Sequence, residues 1–261
     1  MTMKKILLAL TAVVLLFGAC KKTDDNNNNN TGITVKKEQW ALAINYTATW
    51  CGYCGSWGAP LIKETGALPR VVAITPHASN DPMYNATFYS QFNAERATGG
   101  GIPSFWVNDT KTGQGDTKSA AQTATSLMPS AALGMEATRN GAVYNVKVKA
   151  EWYTAGTGEY YLSVFLLESG IDGSASAGQY KQSGTSDPAY THSFVFRTCA
   201  TSSLYGDMIA SSPAAAYTVE KEYAINILPD WQKTVYPVAI LWKYDPTSAK
   251  PNYKFVNAIK L

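Results

Sequence analysis

An α/β domain followed by an all-β domain is the architecture this sequence predicts, and three observations carry it. Between residues 33 and 128, short apolar runs alternate with segments of helical spacing, the pattern of helices layered on a sheet. One of those runs leads straight into Thr49-Trp50-Cys51-Gly52-Tyr53-Cys54, which places two cysteines at the head of a helix. After Pro129, strand follows strand with polar turns between them.

The chain begins with a targeting pattern. Lys4 and Lys5 precede an apolar run over residues 6–17, and Gly18-Ala19-Cys20 follows. This is the layout of a secretory signal over residues 1–19. The run is too short to cross a bilayer as a helix, which needs about 20 apolar residues. Small residues directly before a cysteine resemble a bacterial lipobox, which implies lipid attachment at Cys20 and an outer-membrane anchor on the periplasmic or the cell-surface side. Residues 20–32, with Asp24, Asp25 and a tract of asparagines, hold almost nothing to bury and are expected to form a disordered tether. A polar, acidic stretch just after the lipid cysteine resembles the surface-export signals of lipoproteins in the Bacteroidota. Cleavage after Ala19 removes two of the 22 basic residues and none of the 19 acids, so the charge is nearly balanced and nothing calls for nucleic acid. About 240 residues remain, enough for two domains.

In the first domain, residues 40–47 read as the strand before the cysteines and residues 51–67 as the helix after them, loosened by Gly55 and Gly58. Residues 70–75, with Val71-Val72-Ala73-Ile74, read as a parallel strand buried on both faces. Asp81 and Pro82 mark an expected helix start, with Phe88 and Phe92 on one face down to about Glu95. Residues 105–108 resume the sheet. Residues 119–128 are expected to close it as a helix capped by Ser119.

Two cysteines three apart on one helical turn can exchange between dithiol and disulfide with little backbone movement. Cys51, at the helix N-terminus, meets unpaired N–H groups and the helix dipole, which favour its thiolate. A strand delivering Trp-Cys-x-x-Cys to a helix resembles the thioredoxin superfamily, and Gly101-Ile102-Pro103-Ser104-Phe105-Trp106-Val107 resembles that family's cis-proline turn. The resemblance implies that Cys51 is the attacking thiol and Cys54 the resolving one. It implies that Pro103 packs on the disulfide, and that Ile102, with Trp50 and Tyr53, receives an extended substrate peptide. Thioredoxin carries a buried acid six residues before its first cysteine, where this chain has Asn45, and an amide cannot take up a proton. His77, after the second strand, is a candidate proton carrier in its place; a solvated loop histidine is the plainer reading. Known dithiol pairs span roughly −270 to −120 mV, so the motif alone leaves reductant and oxidant open.

With Cys20 lipidated and Cys51 paired to Cys54, Cys199 is left over. A buried small apolar side chain in a strand is the expected role; a regulatory disulfide, or a zinc site with Cys51, Cys54 and a histidine, are the alternatives. No metal or organic cofactor is implied.

Residues 129–261 are expected to form about seven strands in a two-sheet sandwich of immunoglobulin-like type. Residues 131–139 and 142–153 flank Asn140-Gly141, a hairpin signal because both central positions of a type I′ turn need positive φ. Further strands are expected at residues 160–168, 192–199, 217–227, 236–244 and 253–259. Residues 170–189 form a long loop rich in Gly, Ser and Gln, either mobile or a binding surface. Phe165-Leu166-Leu167-Glu168-Ser169-Gly170-Ile171, Gln179, Tyr190-Thr191-His192-Ser193-Phe194-Val195-Phe196-Arg197, Val238-Ala239-Ile240-Leu241-Trp242 and Val256-Asn257-Ala258 follow one another in an order similar to the Omp-twenty-eight-related outer-membrane lipoproteins of the Bacteroidota. That family joins a thioredoxin-like domain to a β-sandwich. Phe194 stands where it usually has a second histidine, so His192 is expected to be a structural hydrogen-bonding residue.

Two functions follow as expectations. In one, the protein exchanges thiols and disulfides with extracytoplasmic proteins docked at Ile102-Pro103. In the other, Cys51–Cys54 is a static clip and the sandwich, through its 170–189 loop, binds a surface ligand.

Overall fold

The first sheet forms where the apolar runs are shortest and least interrupted. In a computed structural model that describes residues 32–231 and 233–261, β1 (Ala41–Tyr46) and β2 (Val71–Ile74) are buried at every position. The signal at residues 1–19, the lipid site Cys20 and the asparagine tract lie outside the described residues. β1 pairs in parallel with β2 and antiparallel with β3 (Ser104–Val107), which carries β4 (Thr110–Thr112) on its far edge. Between β1 and β2, a π-helical turn (Cys54–Gly58) runs into α1 (Ala59–Gly66). Pro60 has no N–H to continue the α ladder, and the turn before it widens, with the Ala59 N–H reaching the Cys54 carbonyl. α2 (Ala86–Glu95) follows β2, and α3 (Thr117–Thr125) follows β4.

Past α3 the chain is mostly strand. β5 (Ala131–Asn140), β6 (Val143–Trp152) and β12 (Thr218–Asn226) form one antiparallel sheet. β7 (Glu159–Ser169) and β13 (Thr234–Tyr244) pair over eleven residues each and form the centre of another sheet. That sheet adds β14 (Tyr253–Lys260) on one side, and β10 (Val195–Cys199) and β11 (Asp207–Ser211) along the other edge of β7. β8 (Ile171–Asp172) and β9 (Thr191–His192) make a short ribbon.

Burial on both faces explains the composition of β7 and β13. On β7, Leu162, Val164 and Leu166 face the three-stranded sheet, with Val146, Val148 and Trp152 opposite. Phe165 and Leu167 face the first sheet instead, against Leu42, Ile44, Val72 and Ile74. Val238, Ile240 and Trp242 of β13 share that second core, as do Phe88 and Phe92 of α2. α1 and α3 cover the other face of the first sheet through Ile62, Ala121 and Ala124. The layers are therefore helices, first sheet, five-stranded sheet and three-stranded sheet. Residues on both sides of Pro129 build the middle core, and Ile33–Leu261 is one compact unit. A main-chain seam adds to it, since the Thr75 N–H donates to the Phe194 carbonyl and the Phe196 N–H to the Thr75 carbonyl.

Several local expectations are corrected by side-chain chemistry. α2 begins at Ala86 rather than at Asp81-Pro82, because Asn85 caps it by accepting the Phe88 N–H. Asp81 is occupied elsewhere, as described below. α3 begins at Thr117, two residues early, and Ser119 makes no N-cap. The hairpin turn is Gly141-Ala142, one residue later than expected. Asn140 pairs with Val143, and of the two turn residues only Gly141 has positive φ, the pattern of a type II′ turn. The strand expected over residues 192–199 breaks between β9 and β10, where Phe194 takes φ 61°.

Candidate functional site

Cys51 and Cys54 are joined in a disulfide with Cα atoms 5.2 Å apart. Helical backbone starts at Gly52, so Cys51 sits at the mouth of the helix, and the Cys54 N–H points at its Sγ from 3.1 Å. The Ile102-Pro103 peptide is cis. The Ile102 carbonyl lies 3.6 Å from Cys51 Sγ, and the Pro103 ring lies against Gly58. A second cis bond, Lys250-Pro251, was not expected from the sequence. Trp50 and Tyr53 flank the cysteines and are exposed; the Trp50 indole N–H donates to the Ser79 carbonyl. Beside them runs a groove of about 490 Å³ lined by Tyr53, Trp57, Ile102, Pro103, Phe105 and Lys111, among others. All the residues expected to act on a thiol or to dock a peptide thus meet at one edge of the first sheet.

The sulfurs themselves are covered, which the sequence did not indicate. Cys51 is 7% exposed and Cys54 fully buried, packed with Ala48, Ala78, Tyr89 and Ile102. The 170–189 loop packs on the same turn through residues more than 130 positions away in sequence. The Ser183 N–H donates to the Thr49 carbonyl (2.7 Å). The buried Gln182 side chain places its amide nitrogen 3.1 Å from the Ala48 carbonyl, 3.2 Å from that of Thr49 and 3.1 Å from that of Cys51. Two glycines make this contact close. A Cβ on Gly55 would meet the Ser183 carbonyl, and one on Gly184, where φ is 78°, would meet the Gly52 carbonyl. Residues 182–184 are therefore a strap seated on the Cys-x-x-Cys turn rather than a free loop.

Behind the turn lies a buried polar group. His77 is 3% exposed, not a solvated loop residue, and its Nδ1 is 2.9 Å from Asp81 Oδ2. Burial pushes the Asp81 carboxyl up, but the charge and hydrogen bond of His77, with the N–H groups of Thr49 and Met83, outweigh it and hold the pKa at about 2. An ionised carboxylate only accepts, so the proton between the two sits on His77 Nδ1. His192 packs edge-on to His77 with ring centres 5.6 Å apart, and its Nε2 is 2.7 Å from the Tyr180 carbonyl. Burial and the neighbouring His77 lower the His192 pKa to about 4. Both rings, with Asn45, Thr47, Lys63 and Tyr190, line a cavity of about 10 Å³, the lower end of what one water molecule needs. Asn45 is 1% exposed, and its Oδ1 has no hydrogen-bond partner among the described residues.

Cys199 is free and buried at the end of β10, with Sγ 3.3 Å from the Ser203 carbonyl. Burial raises its pKa, which makes it a poor nucleophile at neutral pH. Among the described residues, no group of three His, Cys, Asp or Glu side chains could hold a metal ion, and no helix is long and apolar enough to cross a membrane. Sequence reasoning missed Asp81 as the His77 partner and Gln182 as the strap anchor. The first was readable as His-x-x-x-Asp after a strand; the second had no local signal, because its partners are remote in sequence.

No protein-family model matches this chain, and no curated protein matches it in sequence. Among solved structures it is similar to HBP35 of Porphyromonas gingivalis, with a TM-score of 0.65 and 17% identity, over 87% of this chain and 76% of that one. At that identity the likeness concerns the fold alone: this mostly β arrangement of several sheets is shared with a protein of the Bacteroidota.

Proposed function

We propose that this protein is a lipid-anchored, outer-membrane thiol–disulfide exchange protein acting on extracytoplasmic proteins, with a thioredoxin-like first half. The observation that carries the reading is the meeting of three features at one sheet edge: a Cys-x-x-Cys disulfide at a helix mouth, the cis Ile102-Pro103 peptide with the Ile102 carbonyl beside Cys51 Sγ, and a groove lined by exposed Tyr53 with Ile102 and Pro103. In the reduced protein, the Cys51 thiolate would attack a substrate disulfide and expel one substrate thiolate. Cys54 would then attack the mixed disulfide at Cys51 Sγ, releasing the second substrate thiol and restoring the Cys51–Cys54 bond. The substrate gains two electrons and the cysteine pair loses them. Run in reverse, the same steps oxidise a substrate dithiol.

The test is a trapping experiment. Cys54→Ser in native membranes should accumulate mixed disulfides through Cys51, seen as reductant-sensitive adducts absent from the Cys51→Ser/Cys54→Ser double variant. Equal adducts in both would remove the catalytic reading. A second reading, a static clip in a protein that binds a surface ligand through its sandwich half, is favoured by the burial of both sulfurs and by the strap fixed to the turn that carries them. It expects no adducts and a disulfide that resists millimolar glutathione.

A further inference from the structure

The strap is built with more specificity than a loop crossing the surface needs. Of the polar side chains in the 170–189 loop, Gln182 is the most buried, at 2% exposure. Its amide nitrogen instead sits among four carbonyl oxygens, those of Ala48, Thr49 and Cys51 and of its neighbour Ser183, at 3.1 to 3.2 Å. Four acceptors converging on one point leave only a donor able to occupy it. An NH2 group supplies two hydrogens shared among them; the Ala48, Thr49 and Cys51 carbonyls each also accept a backbone N–H, from Cys51, Ser183 and Gly55, so the side chain adds a second donor where a carboxylate would bring only repulsion and a hydrocarbon nothing. Three of those carbonyls belong to the segment that carries Cys51, so the side chain fixes the backbone from which Sγ projects.

We propose that Gln182 is a positioning residue for the Cys51–Cys54 couple, and that the strap it anchors sets the balance between the dithiol and the disulfide. This rests on the thiol–disulfide reading above and deepens it. The physical argument concerns charge. The disulfide is neutral, whereas the reduced pair works through a Cys51 thiolate, whose sulfur is held 3.1 Å from the Cys54 N–H. Carbonyl oxygens carry negative partial charge, and three of them lie on the adjoining backbone. The Gln182 N–H groups place positive partial charge among those oxygens in a water-poor setting, where such dipoles act strongly. Removing these donors leaves the negative ends with only their backbone N–H partners and disfavours the thiolate relative to the disulfide. Lifting the strap withdraws the same donors but admits water, which favours the thiolate and so opposes that loss; Gly184→Ala lifts it mechanically, because its Cβ would strike the Gly52 carbonyl.

The experiment is the equilibrium of the full-length protein with glutathione buffers, followed by thiol labelling. In each cycle two glutathione thiols become one glutathione disulfide, and the Cys51–Cys54 bond takes up the two electrons and two protons. Gln182→Met, of similar length but without donors, is expected to cut the reduced-to-oxidised ratio about tenfold at fixed buffer, a shift of about 30 mV towards reducing values. Gly184→Ala, which lifts the strap without changing Gln182, is expected to lower the ratio less than Gln182→Met does. Melting temperatures measured in parallel separate structural damage from redox effect. If Gln182→Met titrates with the wild-type ratio, whatever its melting temperature, or if its ratio moves the opposite way, the inference is overturned. No substrate protein enters this measurement, so a failed trapping experiment and a failed titration point to different errors.

Discussion

Arg197→Met is expected to destabilise the fold by about 3–5 kcal/mol, the cost of removing one partner from a buried ion pair. Glu168 lies on β7 with its side chain fully buried, between the two sheets that sandwich that strand. Its Oε2 accepts from Arg197 Nε and Nη2, each at 2.7 Å, and its Oε1 accepts from the Lys233 N–H at 2.7 Å. Methionine keeps the aliphatic volume of the arginine but leaves the carboxylate in the interior without its cation. The damage should also spread to the site. Arg197 is on β10, whose carbonyl at the same residue accepts from Asn85 at the start of α2, and whose neighbour Phe196 bonds to Thr75 beyond β2. Urea unfolding at pH 7 measures the loss. Replacing both charged residues, Glu168→Met with Arg197→Met, should recover much of it, since an apolar pair needs no compensation. An Arg197→Met midpoint equal to wild type would show that the pair contributes little.

Acid should weaken the protein before its carboxylates titrate. His192 has its pKa lowered to about 4, first by burial and then by the adjacent His77, against about 6.5 in the unfolded chain. A histidine with a depressed folded pKa binds its proton better when unfolded, so its neutral form stabilises the fold above pH 6.5. That contribution is lost as pH falls from 6.5 towards 4, on the order of 3 kcal/mol in all. Asp81, held at about 2, has the same sign over a lower window and loses its contribution only below pH 4. His192→Gln retains a donor for the Tyr180 carbonyl but does not titrate. Wild type should lose about 3 kcal/mol more than this variant between pH 6.5 and 4 in urea unfolding. Parallel curves would mean that His192 does not carry the acid response. The strap should respond too, because Tyr180 lies two residues before Gln182.

The sequence made some elements readable and hid others for identifiable reasons. β1, β2, β7 and β13 announced themselves because strands covered on both faces are apolar at almost every position. The cis Ile102-Pro103 turn and the Cys-x-x-Cys turn are local, and each is specified by the residues within it. Boundaries failed where side chains chose between competing hydrogen bonds. Asp81 could cap a helix or accept from Thr49, Met83 and His77, and only the folded chain brings Thr49 within reach. Asn140-Gly141 reads as a turn by itself, but pairing of β5 with β6 set the register one residue further on. Asparagines at 45, 85 and 108 likewise take roles set by the fold: Asn45 is buried in β1, Asn85 caps α2, and Asn108 accepts the Leu42 N–H.

By itself, the sequence determined the chemistry available at the candidate site and the strands that deliver it, because cysteine spacing, a proline after Ile102 and unbroken apolar runs act within a few residues of chain. Only the tertiary structure decided how accessible that chemistry is. The helical face of the first sheet is covered by α1 and α3, but its other face is covered by a second sheet, and the chain returning from β8 lays Gln182 across the cysteines. Those contacts join residues more than 100 apart, through backbone carbonyls that every residue carries alike. A sequence leaves no mark of which distant amide will find them.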